Sequence, residues 1–538
     1  VRAGAGRPDA YDRRVGSTGG GSSGAGSAAA GAVRVVEVLA ALSLTTDLAS
    51  GVPFEKGLRT CAVAEAFGRV LGLPDDERRV VFQAALLRAV GCTAHASENA
   101  EQFVDDVAFQ RALKVLDPGD GAVFGAQLAT FGRWAGDAAA PVLARRFVDL
   151  AATVGPVAVR SGCEVSRALG PRLGLEPGAV AALDEVYERW DGLGIPDGVA
   201  GESLTLAARV VHVAEQAVLA HAQGGAAAAV AEVRRRAGGH LDPALVQAFV
   251  AAADEVLAPL GVPDVLAHVV AAEPPPHAAL PFGRIDALCE AFAVVADLKG
   301  RHLVGHSHRV ADLAHGAAGL AGADDARRAA LRSAALVHDL GRVVVPSSVW
   351  DRSGPLGAAD VERVRLHAYW TERVLSRCPA TAPLATCAAA HHERSDGSGY
   401  HRGVRSADLD PDTRILAVAD VFAALTADRA HRPGIRAPEA ATVLDAEVAG
   451  GRLDRDAVAA VVEAAGLRRP RAPWPAGLSD REVDVVRLAA KGLSNKGIAA
   501  RLVISERTVG HHLAHVYDKT GRRTRAGVAV FAVEHGLL

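Results

Sequence analysis

The sequence predicts an all-α protein: two tandem helical bundles, the first a degenerate copy of the second, followed by a small four-helix domain. Three observations carry this. Half of the 538 residues are apolar but only 4% are aromatic, and alanine-rich apolar positions recur at spacings of three and four, the mark of closely packed helices. A pattern found between residues 71 and 215 returns between 320 and 420. A proline- and arginine-rich break at 467–477 (RRPRAPWPAG from 468) precedes about sixty residues, a usual size for a small independent domain.

Residues 1–32 are rich in Gly, Ser and Ala and are expected to form a disordered tail. They lack the pattern of a signal peptide, and no apolar run of about 18 residues follows. A cytoplasmic protein with no membrane partner is therefore expected. The six cysteines (Cys61, Cys92, Cys163, Cys289, Cys378, Cys387) show no CxxC spacing and read as reduced thiols. Net charge is −3, unevenly spread: residues 468–538 carry +7 and the rest −10. A basic end on an acidic body points to nucleic acid at that end.

Residues 33–266 repeat the later pattern with its chemistry removed. AALLRAVG (84–91) matches AALVHDLG (334–341), with Arg88 and Ala89 where His338 and Asp339 stand. VYERWDGLGIPDG (186–198) matches HHERSDGSGYHRG (391–403), with Val186 and Tyr187 for the two histidines. Glu215 stands for Asp420, the His306 position aligns near Gly57, and the His367 position falls at Gly162 or Cys163. This half is expected to fold without binding metal. Residues 267–283, containing Pro274–Pro276, read as a stiff linker.

Residues 284–466 carry the ligand-type side chains. His306 lies in GHSHRV, His338 and Asp339 in AALVHDLG, and His367 in RLHAYW. His391 and His392 open HHERSDGSGYHRG, and Asp420 ends ILAVAD. Adjacent helical residues point about 100° apart, so His391 and His392 suit two neighbouring metals better than one. Several helices each delivering one or two ligands make a shared centre in a bundle. Imidazoles with carboxylates suit Fe, Mn or Zn better than Mg or Ca, and two such cations clamp a phosphate between them.

These motifs, in this order over residues 286–466, resemble the HD-GYP family of metal-dependent phosphodiesterases. The resemblance implies two divalent transition-metal ions, Fe or Mn foremost and Zn next. It implies His306, His338, Asp339, His367, His391, His392 and Asp420 as ligands, and catalytic roles for Asp339 and Arg342. It places substrate, a cyclic dinucleotide such as cyclic di-GMP or a related phosphodiester, against Arg342, Tyr400, Arg429 and Arg432. Arg342 stands where the family has Lys, and His401 where the GYP triplet has Pro. By the same likeness, residues 33–266 form a degenerate HD-GYP-like domain.

Residues 478–538 open with a capping candidate, Ser479 or Asp480, and Gly492 ends the first helix. A supporting helix at 495–502, a turn at 503–505 and a second helix at 506–519 have helix-turn-helix proportions. The stretch resembles the LuxR-type DNA-binding domain. The resemblance implies double-stranded DNA as partner, with Arg507, Thr508, Val509, His511 and His512 at the DNA face. Lys496, Lys519, Arg522 and Arg523 are expected on phosphates. Gly497 and Gly510 replace residues that the family usually has as Glu and Lys. A homodimer is expected. The reading is a transcriptional regulator that joins phosphodiester hydrolysis to DNA binding. The alternative is a catalytically weak, nucleotide-sensing LuxR-type transcription factor.

Overall fold

The computed structural model describes residues 32–400, 402–467, 474–535 and 537. The expected tail, His401 and the arginines at 468, 469 and 471 lie outside the described residues, apart from Ala32. The protein is 67% helical, with one two-stranded sheet among the described residues. It divides into two compact units, 1–465 and 466–538.

The first unit contains the same run of helices twice. Lys56–Val70, Asp75–Leu86, Val154–Leu169, Pro177–Asp184 and Leu206–Arg235 in the first half have counterparts in the second. These are His306–Leu320, Asp325–Val337, Ala358–Arg377, Ala382–Ala389 and Pro411–Thr426. Side chains start the helices where the sequence supplies caps: Asp324 accepts the Arg327 N–H at 2.8 Å, and Asp410 that of Thr413 at 2.9 Å with Pro411 in the first turn. Small residues allow close approach. Ala311, Ala314, Ala317 and Ala318 are buried along His306–Leu320, which packs on Asp325–Val337 with its Ala334 and Ala335.

Local devices fix how the halves correspond. His306–Leu320 begins after Gly305 at φ 74°, and the preceding Asp297 accepts the Ser307 N–H at 3.1 Å. Lys56–Val70 begins after Glu55 at φ 70°, and Asp47 accepts the Gly57 N–H at 2.9 Å. The counterpart of His306 is therefore Lys56, one residue before the Gly57 that the sequence alignment suggested. Gly341 lies so close to the next long helix that a Cβ there would sit 1.9 Å from the His367 carbonyl oxygen. A Cβ on Gly91 would sit 2.3 Å from that of Gly162. This pairs His367 with Gly162 rather than Cys163. The buried carboxylates of Glu188 and Glu393 each accept two N–H groups of the glycine-rich loop that follows.

Residues 267–283 differ from the expected linker. Val265–Ala272 is a helix packed on Lys56–Val70, and Ala279–Pro281 pairs antiparallel with Ala32–Arg34. The prolines suggested a spacer, but the apolar VLAHVVAA run has a bundle to bury against. The halves also meet through the buried pair Lys299–Asp106, and through Arg377 on Glu55 at 2.9 Å and Asp264 at 2.8 Å. The helix Val35–Ala49 of the first half packs on residues 340–344 and on Ala358–Arg377 of the second.

The second unit, 466–538, holds the helices Asp480–Ala490, Asn495–Leu502, Glu506–Thr520 and Arg525–Glu534. Ser479 closes a capping box with Glu482; Ser494 and Ser505 cap the next two helices. Of the two cap candidates, Ser479 takes the role. Val485, Ile498, Val509 and Leu513 share one core.

Gly341 has no room for a side chain, and it holds residues 338–342 against the His367 helix. Gly341→Ala should lower the stability of the first unit by about 1–3 kcal/mol or more, read as a fall in the thermal midpoint of the full chain.

Candidate functional site

The second-half ligand candidates converge. His338 follows the last turn of Asp325–Val337 and Asp339 comes next. His367 lies mid-way along Ala358–Arg377, and His306 starts its own helix. His391 and His392 occupy the turn just after Ala382–Ala389. Their ring centroids are 4.1 Å apart. Asp420 is buried in Pro411–Thr426.

Asp339 is the hub. Its Oδ2 lies 2.9 Å from His338 Nε2 and 3.5 Å from His306 Nε2. Its Oδ1 lies 3.4 Å from His367 Nε2 and 3.5 Å from His391 Nε2. Asp420 faces His306 Nε2 at 3.0 Å, His338 Nε2 at 3.7 Å and His392 Nδ1 at 3.8 Å. The donors fall into two groups: His306, His338, Asp339 and Asp420; and His367, His391 and His392.

The imidazoles are held as ligands are. Nδ1 of His338 lies 2.7 Å from the Ala335 carbonyl, that of His391 2.6 Å from Ala388, and that of His367 against Val364. A carbonyl only accepts, so each Nδ1 donates its hydrogen, which leaves Nε2 of each ring to face Asp339. His367 Nε2 and His391 Nε2 then lie 3.1 Å apart. His338 Nε2 and both carboxylate oxygens of Asp339 are buried without a partner in hydrogen-bond geometry. Buried acceptors facing acceptors are costly unless cations lie among them. These residues therefore fit a metal centre.

Electrostatics agree. Burial pushes Asp339 up, but Arg342 and His338 outweigh it and hold its carboxyl well below the usual range. Burial keeps His306 and His391 neutral, down to about 4. For His338, burial is overcome by Asp339 and Asp420, which push it up to about 10. The two carboxylates demand positive charge.

Around the cluster, Arg342 Nη2 lies 2.7 Å from Asp339 Oδ2, and the guanidinium lies 5.4 Å from the Trp350 ring. Arg429 reaches His306 Nδ1 at 3.5 Å. Tyr400 lies over His392, ring centroids 4.3 Å apart. Arg432 is different: its guanidinium is spent on the carbonyls of Ala424 at 2.7 Å and Leu425 at 3.1 Å, plus its neighbour Pro433 at 3.2 Å. It caps the end of Pro411–Thr426 rather than offering a free fork to substrate. The sequence reading overlooked Thr371, whose hydroxyl accepts the Gly341 N–H at 2.9 Å and donates to the His338 carbonyl at 3.0 Å. Its place four residues after His367, on the same helix face, was the available signal.

The first half answers the same geometry with fixed cations. Lys56 and Arg88, the counterparts of His306 and His338, both pair with the buried Glu215. Burial pushes Glu215 up, but Arg88 and Lys56 prevail and hold it well below its ordinary value.

In the second unit, Lys496, Arg507, His511 and Arg523 are exposed, and His512 and Arg522 are half-buried. Thr508 Oγ1 is 2.7 Å from the cap hydroxyl of Ser505. Val509 does not face outward: it is fully buried against Ile498 and Leu513. Its β-branched side chain faces the helical core, which corrects its placement at the DNA face. Lys519 Nζ is held at 2.6 Å by Glu482, so its charge is already matched inside the unit. A Cβ on Gly510 would meet nothing within 4 Å.

Comparison with known proteins places these features. Residues 290–457 match the HD domain family, and residues 476–532 match the bacterial regulatory proteins of the luxR family. Over 440 residues the chain is 29% identical to the 3'3'-cGAMP-specific phosphodiesterase 3 of Vibrio cholerae, covering 80% of this chain and 94% of that protein. It is 35% identical over 162 residues to the 3'3'-cGAMP-specific phosphodiesterase 1 of the same organism, covering 30% of this chain and 38% of that one. A crystal structure of a cyclic GMP-AMP specific phosphodiesterase of V. cholerae shares the fold: TM-score 0.56 and 23% identity, over 82% of this chain and 99% of that one. Among the described residues no single helix is long and apolar enough to cross a membrane.

A divalent metal that enters this cluster should stabilise the fold by mass action. Mn²⁺ in about a hundredfold excess over its Kd should add about 2.7 kcal/mol, seen as a raised thermal midpoint. Asp339→Asn should remove most of that increment.

Proposed function

Because residues 290–457 form an HD domain and residues 476–532 a luxR-family domain, we propose that the chain is a DNA-binding regulator that hydrolyses a cyclic dinucleotide through an HD-GYP-type dinuclear centre. The observation that carries the catalytic part is the buried Asp339 carboxylate, with four imidazole Nε2 atoms turned on it and the Arg342 guanidinium at its Oδ2. His306, His338, Asp339 and Asp420 would hold one cation and His367, His391 and His392 the other, with Asp339 between them. The donor set suits iron or manganese, with zinc as the other candidate. Such ions, when bound, polarise a phosphodiester and activate water.

The residues do the positioning. The Ala335, Val364 and Ala388 carbonyls fix the tautomer and aim of His338, His367 and His391. Arg342, pressed on Trp350, orients Asp339 and keeps it ionised. Its Nε and Nη1 remain without partners, which leaves donors for a phosphate oxygen. Arg429, beside His306, supplies a second cation at the cluster. Tyr400, over His392 and with Arg365 5.9 Å from its ring centre, is a further substrate-contact candidate beside the cluster. The substrate class, a cyclic dinucleotide such as cyclic GMP-AMP or cyclic di-GMP, is supported by the names of the V. cholerae relatives.

In the second unit, Arg507, His511 and His512 on Glu506–Thr520 are the base-reading candidates, and Lys496, Arg522 and Arg523 the phosphate-contacting ones. We assign the recognition role to this helix on its position after the Val503 turn and on the charge of residues 468–538. Binding as a homodimer on an inverted repeat follows as the expected mode.

The 538-residue chain loaded with Mn²⁺ or Fe²⁺ should linearise 3'3'-cGAMP or cyclic di-GMP. Asp339→Ala should reduce the rate to the uncatalysed background with the helical circular-dichroism signal retained. Binding of either dinucleotide without turnover would replace this reading with that of a nucleotide sensor. For DNA, Arg523→Ala should weaken all sequences alike and lower the salt slope by about one phosphate contact. Arg507→Ala should alter sequence preference as well. Identical losses from both variants, with preference unchanged, would remove the base-reading role from the helix.

A further inference from the structure

The first half contains a cavity of about 510 Å³, within the usual size of small-molecule sites. Two departures from the second half create it. Where the second half has Asp339, His367 and His391, the first has Ala89, Gly162 and Val186, and all three line the space. The segment that leads from the second helix to the third long one also differs. In the second half it is residues 342–357, with one short helix at Ser347–Trp350. In the first it holds four helices: Ala96–Phe103, Asp106–Leu113, Gly121–Leu128 and Ala140–Ala151. Phe109, Phe124 and Phe147 from these helices form apolar wall.

The charges in this wall do not balance. Arg88 and Lys114 both line the cavity, beside Tyr187. Lys114 is 8% exposed; its Nζ lies 3.2 Å from the Tyr187 hydroxyl and 5.1 Å from the ring centre, and it forms no ion pair among the described residues. Glu215 is already shared by Lys56 and Arg88. Asp47 is turned to the Gly57 N–H, and burial pushes its carboxyl up to about 7 against the pull of Lys56 and Lys114, so it matches Lys114 only in part. Arg189, also in the wall, is matched by Asp117 at 3.0 Å and Asp191 at 2.7 Å. The Arg88 Nε and Gln110 Oε1 are buried without partners. A buried ammonium and a buried guanidinium N–H in the wall of a partly open apolar pocket are costly unless an anion joins them.

We propose that this cavity is a binding site for a small amphipathic anion, a carboxylate or phosphate ester whose head meets Lys114 and Arg88 and whose apolar body lies among Phe109, Phe124 and Phe147. The neutral isostere of such a ligand leaves Lys114 unmatched and binds less well. Lys114 is a specificity residue of the site, and the inserted helices are its cover.

Isothermal titration of the full chain with decanoate, decyl phosphate and decanol tests this. At least one of the two anions should bind once per chain and at least about tenfold more tightly than decanol, a difference of about 1.4 kcal/mol. The tighter anion identifies the preferred head group. Lys114→Met should weaken the anion about tenfold or more without changing decanol, and Lys114→Arg should restore it. Ala158→Phe, which places bulk in the cavity wall, should abolish binding of all three with the thermal midpoint kept. Decanol binding as tightly as both anions, no binding of either anion to the unaltered chain, or an anion affinity indifferent to Lys114→Met or to Ala158→Phe would each overturn the proposal.

Discussion

A buried carboxylate ringed by imidazoles, with the Arg342 guanidinium at its edge, is the constraint around which the first unit is built. Asp339 is 1% exposed, and the side chains that surround it are mostly imidazoles with their donor nitrogens committed elsewhere. Such an arrangement is stable only with positive charge at its centre. Four segments of chain must hold their places to create it. That explains features otherwise unrelated: the side-chain-free contact at Gly341, the Thr371 hydroxyl that ties two backbone segments together, and the Arg342 guanidinium pressed on Trp350.

The first half meets the same constraint by another route. Its Glu215 occupies the place of Asp420, and Lys56 and Arg88 supply covalently attached cations where His306 and His338 stand in the second half. A lysine and an arginine need no ion from solution, so this half keeps its packing while its metal-ligating chemistry is gone. The loss of Asp339, His367 and His391 equivalents leaves space, and the inserted helices wall part of it. One of these helices, Asp106–Leu113, links the two halves physically. Asp106 pairs with Lys299 and accepts the Ser347 N–H at 2.7 Å, while Phe109 and Gln110 farther along line the cavity.

Much of this was legible in the sequence because the motifs are local. A His-Asp pair after an apolar helix, a His-His pair before a glycine-rich loop and a lone Asp in an apolar helix each announce themselves within a few residues. What was not legible depends on partners distant in sequence. Lys519 looked like a phosphate contact because Glu482 lies 37 residues away. Lys56 went unnoticed because Glu55 adopts the left-handed conformation that Gly305 adopts at the matching point, and a non-glycine residue gives no hint of it. The 267–283 stretch looked like a linker because its strand partner, Ala32–Arg34, is at the other end of the half. Val509 was assigned outward by likeness alone, against the helical period that places it with Leu513 in the core.

On this reading, metal ions in the second half would do what Lys56 and Arg88 do in the first. Elemental analysis of the purified full chain beside the double variant His306→Lys/His338→Arg, which transplants the first half's solution into the second, tests it most directly. About two transition-metal ions per unaltered chain are expected, with loss of the ion that His306 and His338 would hold from a variant that keeps its helical content and thermal midpoint. An unaltered chain that binds no metal, or a variant that keeps its full metal content, would contradict it.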